Sequence, residues 1–500
     1  MADGSGKRPA VPLSDAVLAT LPDSVMRPTY DRSTLHPGIV HIGVGNFHRG
    51  HQAWYLHRLM QAGLAHDWAI IGAGVRKGDA LMREKLLAQD CLTTLVELDP
   101  SGTSAEIVGS MIGFLPVEQD NASLIATMSR DDIRIVALTV TEGGYYVDPK
   151  TGGLDLSHHD IQHDIAHPDT PVTAFGAIVA ALSKRKAAGL GPFTSQSCDN
   201  LQGNGDILRK IVVSLAQATD PELARWIETH ATFPNSMVDC IVPATGPDEI
   251  ALAAQFGITD AAPVTHENFR QWVIEDAFCA GRPDWDKAGA IVTDQVHSYE
   301  AMKIRILNAG HQVLANAGEL LGLPTIADCM THATLRAFFR KVQMDEIVPY
   351  VAEVPGFTPA AYVDLIETRF ANAAIRDTTR RVAFDGSSRH TGFVLPILRD
   401  AIDAQGSIAG LSLVEALWAR MCEGTREDGS TIESNDPQWE TLTIAAQKAK
   451  SDPRAWLTQN QYYQELADIP AFARQFETWL RLIWSDGVDA ALCAYTTQSA

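Results

Sequence analysis

The chain has 500 residues, 46 % hydrophobic and 20 % charged, a globular mix with room for roughly two to four domains. Its formal net charge of -21 excludes nucleic acid and anionic membrane as natural partners, because both select a basic surface. Seven scattered cysteines, with no C-x-x-C pair, argue against a disulfide framework or a zinc ribbon and suit a reducing cytoplasm. The start lacks the apolar run of a signal peptide, and no stretch of about 18 apolar residues occurs, so a cytoplasmic protein without a membrane span is expected.

Residues 1–36 read as a polar, proline-containing lead-in. Gly38 to Ile42 is a short apolar strand that runs into a glycine turn, and Gln52 to Met60 is helix-like. Strand, glycine turn and helix make the context of a dinucleotide site: glycines let the backbone approach a pyrophosphate, and helix N–H groups face it. The candidate cofactor residues are Ile42, Gly43, Val44, Gly45, Asn46, Phe47, His48 and Arg49. The spacing departs from G-x-G-x-x-G, since Gly50 follows Gly45 by five positions, so the motif rests on its flanking strand and helix.

A second strand fits Trp68 to Val75, and Asp79 is the candidate ribose-recognising acid after it. Arg76 and Lys77 beside it suit either a 2′-phosphate or an ordinary solvated turn, so NAD against NADP is open at this point. A buried strand over Ile133–Thr141 ends in Glu142-Gly-Gly-Tyr145, and Thr141 and Glu142 complete the cofactor candidates. A polar loop at the carboxyl end of a strand is where an open α/β sheet binds its ligand. The helix Ala174–Lys186 and the strand Pro192–Ser197 continue the alternation and lead to Cys198-Asp199-Asn200. The expected fold is α/β: a Rossmann-type doubly wound domain over 1–290, with its core at 38–200, followed by a mostly α-helical domain over 291–500. His158, His159, Asp160, His163 and His167 have helical spacing, but without an H-E-x-x-H or cysteine set they read as a solvated segment, and no metal is expected.

Beyond the Gly281-Arg-Pro turn the pattern is helical over 299–320, 326–342, 359–371, 394–404, 410–422 and 461–485. In the first of these, about 100° per residue places Lys303, Leu307, Asn308 and His311 within an arc of roughly 140°. One face then carries an amine, an amide and an imidazole, which can take a proton, hold an oxyanion and orient a hydroxyl. The same pattern also fits a helix with solvated Lys and Asn and a core His. Tyr299 and Lys303 spell Y-x-x-x-K, but neither the chain length nor the glycine turn matches short-chain dehydrogenases. Arg380, Arg381 and Arg389 cluster beside a turn, either as a clamp for a polyhydroxyl or carboxylate substrate or as ordinary arginines at a helix carboxyl end.

The runs His41–Gln52, Thr141–Tyr145, Ser197–Leu201, Phe233–Asp239, Gly281–Pro283, Met302–Ile304, Leu307-Asn308 with His311, and Asp385–Ser388 occur in one order across residues 38–395. Together they resemble the polyol-specific long-chain dehydrogenase family. The resemblance implies a zinc-independent NAD(P) oxidoreductase, a monomer, that interconverts a polyol, D-mannitol or a close relative, with its ketose at C2. It implies Lys303 as general base, Asn200 and Asn308 as donors to the alkoxide-like oxygen, His311 as an orienting group and Glu300 as a proton relay. Asp239, Arg381 and Arg389 fall at substrate-binding positions, with Arg389 where mannitol-oxidising members carry lysine. A free lysine is a poor base near neutrality, so burial and nearby positive charge are expected around Lys303. His390-Thr-Gly-Phe393, the loop Gly78-Asp79 and the spelling Ala309-Gly310 also depart from the family's commoner residues. They keep fructuronate reductase, an NADPH-linked sorbose reductase and, more remotely, a non-catalytic NAD-binding sensor as alternatives.

Overall fold

A computed structural model describes residues 10–148 and 151–497. The chain forms two compact units, Met1–His297 and Ser298–Ala500. The division falls after 297 rather than at the expected 290, because the short strand Ile291–Val292 pairs in parallel with Gln271–Ile274 of the first unit.

In the first unit, β1 (Pro37–Ile42) leads into two short successive helices, α1 (Asn46–Gly50) and α2 (Gln52–Gln61). Then come β2 (Ala69–Ala73), α3 (Asp79–Leu87), β3 (Met111–Phe114), α4 (Ala122–Met128), β4 (Ile135–Leu138), α5 (Ala174–Ala187), β5 (Thr194–Ser197) and, after it, α6 (Asn204–Thr219). These five strands form one parallel sheet in the order β3-β2-β1-β4-β5. The chain moves outward from β1 through β2 to β3, then returns to the other side of β1 for β4 and β5. The reversal opens a crevice at the carboxyl ends of β1 and β4, where such sheets bind ligands. Val40, Ile42, Val136 and Leu138 are buried on one face and Ile39, Ile135 and Ala137 on the other, so these strands are covered on both faces. Strand β4 is shorter than the sequence pattern because Thr139–Thr141 turns off the sheet into the loop that carries the site.

Two of the other sheets have more than two strands. The hairpin Thr93–Asp99 and Gly102–Val108, inserted between α3 and β3, pairs with Val264–Glu267 and Val25–Met26. The strand β6 (Ser236–Asp239) pairs antiparallel with Gln271–Ile274. The alternating-unit reading missed the hairpin, since it belongs to neither face of a β-α-β crossover.

The second unit is helical. Helix α7 (Val296–Met302) continues without a break into a π-helical segment, Lys303–Asn308, and then into α8 (Ala309–Leu320). Helix α8 is buried on nearly all sides and, with Gln312, Asn316 and Glu319 as buried polar exceptions, its circumference is mostly apolar or small residues. Gly310 is one such residue: a Cβ there would lie 2.6 Å from Gln343 Nε2 and 3.0 Å from Phe339 Cε2. Against α8 pack α9 (Ala333–Val342), α11 (Thr379–Ala383) and α13 (Ala409–Met421), and α10 (Pro359–Phe370) stacks its Phe370 on His311; α12 (Leu395–Asp403) packs on the segment His390–Val394, α14 (Pro470–Asp486) on α13, and α15 (Val488–Thr496) on α9. Among the described residues, no helix is long and apolar enough to cross a membrane.

Candidate active site

The glycine turn is shaped by backbone sterics. Gly43 has φ +93°, and a Cβ there would sit 2.1 Å from the Thr139 carbonyl oxygen, so only glycine fits where β1 passes β4. Gly45 faces open space, with nothing within 4 Å of where its Cβ would be. This closed-then-open pair suits a turn that a pyrophosphate approaches. Thr139 Oγ1 donates to Gly43 O at 2.5 Å, so His41 Nε2, 2.9 Å away, is the donor to that hydroxyl.

The polar side chains of the turn are largely spent inside the first unit. Asn46 Nδ2 donates to Pro243 O (2.9 Å) and Thr245 Oγ1 (2.8 Å). Arg49 is buried and donates to Asn46 Oδ1 (2.7 Å) and to Ala262 O, and burial lowers its pKa to about 10. Ile42 and Val44 are core residues, while Phe47 is half-buried against the His51 ring. The turn's backbone, rather than its side chains, is therefore what it has to offer a ligand.

Asp79 opens α3, and its Oδ2 accepts from the Arg76 backbone N–H at 2.9 Å. Arg76 reaches across the carboxyl edge of the sheet and donates to Val140 O at 3.1 Å. An acid and a base thus share the loop after β2, where a ribose would be read. Thr141 has φ +69°, an uncommon value for a residue with a side chain. Its N–H donates to Asp199 Oδ1 (2.8 Å), and Val140 N–H donates to Oδ2 (3.1 Å). Tyr145 Oη also donates to Asp199 Oδ2 (2.7 Å), beside Ser197 Oγ at 2.5 Å. Asp199 thus clamps the loop after β4 and sets the backbone that presents the exposed Asn200. The sequence reading passed over Asp199, although it precedes Asn200 in the same motif. The side chain of Glu142 lies outside the described residues. Asp239 ends β6 and is buried.

In the second unit, Lys303 and Asn308 are the first and last residues of the π segment. A π-helix bonds residue i to i+5, so these two stand one turn apart, closer to a common face than a uniform α-helix would place them. The wider winding leaves carbonyls to satisfy, and the buried Gln343 Nε2 donates to Ile306 O at 2.8 Å. Lys303 is 8 % exposed and Glu300, one turn earlier, 4 %. One turn later His311 stacks on Phe370, with ring centroids 4.3 Å apart and an interplanar angle of 15°. Burial lowers the His311 pKa to about 4, with Arg381, Arg389 and Arg369 adding to the effect and Asp377 opposing it.

The arginine cluster divides. Arg380 turns away to the carbonyls of Glu433 and Ser434, both at 3.0 Å. Arg381 pairs with Asp377, and Arg389 Nη1 donates to Val382 O at 2.9 Å. His158, His159 and Asp160 bring possible ligand atoms within 4.8 Å of one another at the amino end of the helix His159–Ala166, and His159 is 85 % exposed.

Comparison with known proteins decides the family. A mannitol dehydrogenase Rossmann-domain model matches residues 37–287, and a mannitol dehydrogenase C-terminal-domain model matches 295–484. The chain belongs to the mannitol dehydrogenase family. It is an oxidoreductase of that family, with a Rossmann-type amino-terminal domain and a mostly helical carboxyl-terminal domain. A mannitol 2-dehydrogenase from Cereibacter sphaeroides is 54 % identical over 469 residues, 94 % of this chain and 98 % of that one. The Pseudomonas fluorescens mannitol 2-dehydrogenase, solved as a ternary complex with NAD and D-mannitol, superposes with a TM-score of 0.87 at 37 % identity, covering 98 % of this chain and 100 % of the other. A substrate-free D-sorbitol dehydrogenase gives 0.89 at 35 % identity, covering 96 % and 100 %.

One consequence for this family member concerns acid. His41 and His48 stack 3.4 Å apart, centroid to centroid, and both are buried beneath the glycine turn. Burial lowers the His41 pKa to about 3, and burial followed by repulsion from His41 pushes His48 well below the usual imidazole range. Both stay neutral when folded, whereas the unfolded chain takes up protons below about pH 6.5. Their contribution to stability is therefore complete above about pH 6.5 and is lost as pH falls below it, by about 2 kcal/mol for His41 at pH 5. The urea midpoint should drop between pH 7 and pH 5, and His48→Phe should flatten that drop.

Proposed function

We propose that this chain catalyses the reversible NAD-linked oxidation of D-mannitol, or a close polyol, at C2 to the ketose, D-fructose in the case of mannitol. The observation that carries the reading is the single helix on which a π segment brings Lys303 and Asn308 toward one face, with His311 a turn beyond. The relatives named above supply the substrate class. Bound NAD would supply the hydride acceptor; Gly43 and Gly45 offer the backbone for its pyrophosphate and Asp79 a carboxylate for its ribose.

Lys303 accepts the proton of the C2 hydroxyl as the general base. Glu300, buried one turn earlier on the same helix, passes that proton onward. Asn308 and Asn200 supply amide N–H donors to the oxygen as negative charge develops on it, and an amide stabilises that charge without competing for the proton. His311, Arg381, Arg389 and Asp239 orient the remaining hydroxyls. No metal ion is assigned a role in this scheme, since an amine serves as the base.

Arg389 favours a second reading, oxidation of D-mannonate, whose carboxylate a pair of arginines would clamp. Against it, Arg381 is already charge-matched by Asp377, with Nη2 at 2.6 Å and Nε at 2.8 Å from Oδ1. A neutralised arginine hydrogen-bonds hydroxyls well and attracts a carboxylate less. The test is NADH or NADPH formation at 340 nm on D-mannitol, D-sorbitol, D-arabinitol and D-mannonate, each with NAD and with NADP. The expected result is preference for D-mannitol with NAD. Preference for D-mannonate would move the chain to the sugar-acid reaction, and no turnover on any of the four would remove the reading.

A further inference from the structure

Asp377 lies in the loop between α10 and α11 and is 7 % exposed. Its two oxygens face different partners. Oδ1 accepts from Arg381 Nε at 2.8 Å and Nη2 at 2.6 Å. Oδ2 is 3.7 Å from His311 Nε2. Both of these last atoms are buried and make no hydrogen bond among the described residues. The loop is fixed, since Ile326 N–H donates to Asp377 O (2.9 Å) and Asp377 N–H donates to Ile375 O (3.0 Å). The His311 ring is held flat against Phe370, so Nε2 keeps its direction.

A carboxylate oxygen can only accept, so the imidazole nitrogen facing it is stabilised when it carries the proton. His311 Nδ1 is then left with a lone pair. The depressed pKa of His311 agrees with a neutral ring, for which the choice of tautomer decides whether Nδ1 donates or accepts.

We propose that Asp377 is a positioning residue that holds His311 in the Nε2–H tautomer, with Nδ1 ready to accept from a substrate hydroxyl, while fixing the Arg381 guanidinium through its other oxygen. This deepens the polyol reading and rests on it for the identity of the hydroxyl. The tautomer itself is a property of the protein and does not depend on that reading.

Asp377→Asn separates the two. Arg381 requires an oxygen on its side, which turns the amide nitrogen of the new side chain toward His311. That N–H donates to Nε2, drives the proton to Nδ1 and converts the acceptor into a donor. In the full-length chain labelled with 15N-histidine, and assigned by the signals lost in His311→Gln, wild type should show His311 protonated at Nε2. Asp377→Asn should show it protonated at Nδ1. Its kcat/KM for the preferred polyol should fall roughly 10–100-fold, the cost of leaving one hydrogen-bond partner unsatisfied, with NADH affinity unchanged. A wild-type ring protonated at Nδ1 would overturn the proposal, and that spectrum needs no variant to fold. A switched tautomer with unchanged kcat/KM would overturn the positioning role. Absence of polyol turnover in wild type would remove the functional reading, while the wild-type tautomer would still decide the structural one.

Discussion

Lys303→Ala is expected to lower turnover by about 10²–10⁴-fold, the usual worth of a positioned general base, while NADH affinity stays near that of the native chain. The asymmetry follows from where the residues lie. The glycine turn, Asp79 and the Asp199-clamped loop belong to the first unit and are held by hydrogen bonds made within it. Lys303 opens the π segment of the second unit. Alanine is a strong helix former, so its helix should persist. Steady-state kinetics and NADH fluorescence titration give the two quantities separately. Near-native turnover in the variant would remove Lys303 from the role of base.

The largest loss of stability is expected from Glu346→Ala. Glu346 is fully buried, and its carboxylate accepts four hydrogen bonds: from Ser407 Oγ (2.9 Å), Gly410 N–H (2.8 Å), Leu411 N–H (2.8 Å) and Tyr495 Oη (3.0 Å). Two of these donors are at the amino end of α13, whose first N–H groups have no acceptor in their own helix. A third comes from α15, so one side chain ties the start of a core helix to the carboxyl-terminal helix. Burial, followed by repulsion from Glu346, raises the Tyr495 pKa, so the phenol remains a donor. Alanine would strand buried donors as well as open a cavity, at a cost of at least about 3 kcal/mol. For a unit of this size that is a fall in Tm of roughly 6–12 °C. Thermal unfolding of the variant checks it, and an unchanged Tm would mean that the network does not limit stability.

The glycine turn was legible because its signal is local: an apolar strand, small residues where a Cβ would strike Thr139, then a helix. The grouping of Lys303, Asn308 and His311 was legible for the same reason, since spacing along one helix is written in the chain. The helix wheel nevertheless assumed uniform α winding. The π segment depends on Gln343, 37 residues away, to satisfy the Ile306 carbonyl. Asp199 escaped notice although it adjoins Asn200, because its role is to hold the backbone of a loop 58–59 residues away in the chain, and Asp377 because its partner His311 lies on a helix elsewhere in the chain. Only the i, i+4 spacing of Asp377 and Arg381 hinted at a pair.

By itself the sequence determined a parallel doubly wound domain followed by a helical one, the position of the glycine turn and the helix that carries the amine, the amide and the imidazole. These follow from periodicity and short-range sterics, which act between near neighbours in the chain. Tertiary structure alone decided the winding of that helix, the division of the arginine cluster, the carboxylate against His311 and the Glu346 cap on α13. Each depends on a buried polar group finding a partner on a different element, and burial, which makes that partner obligatory, exists only once the elements have packed.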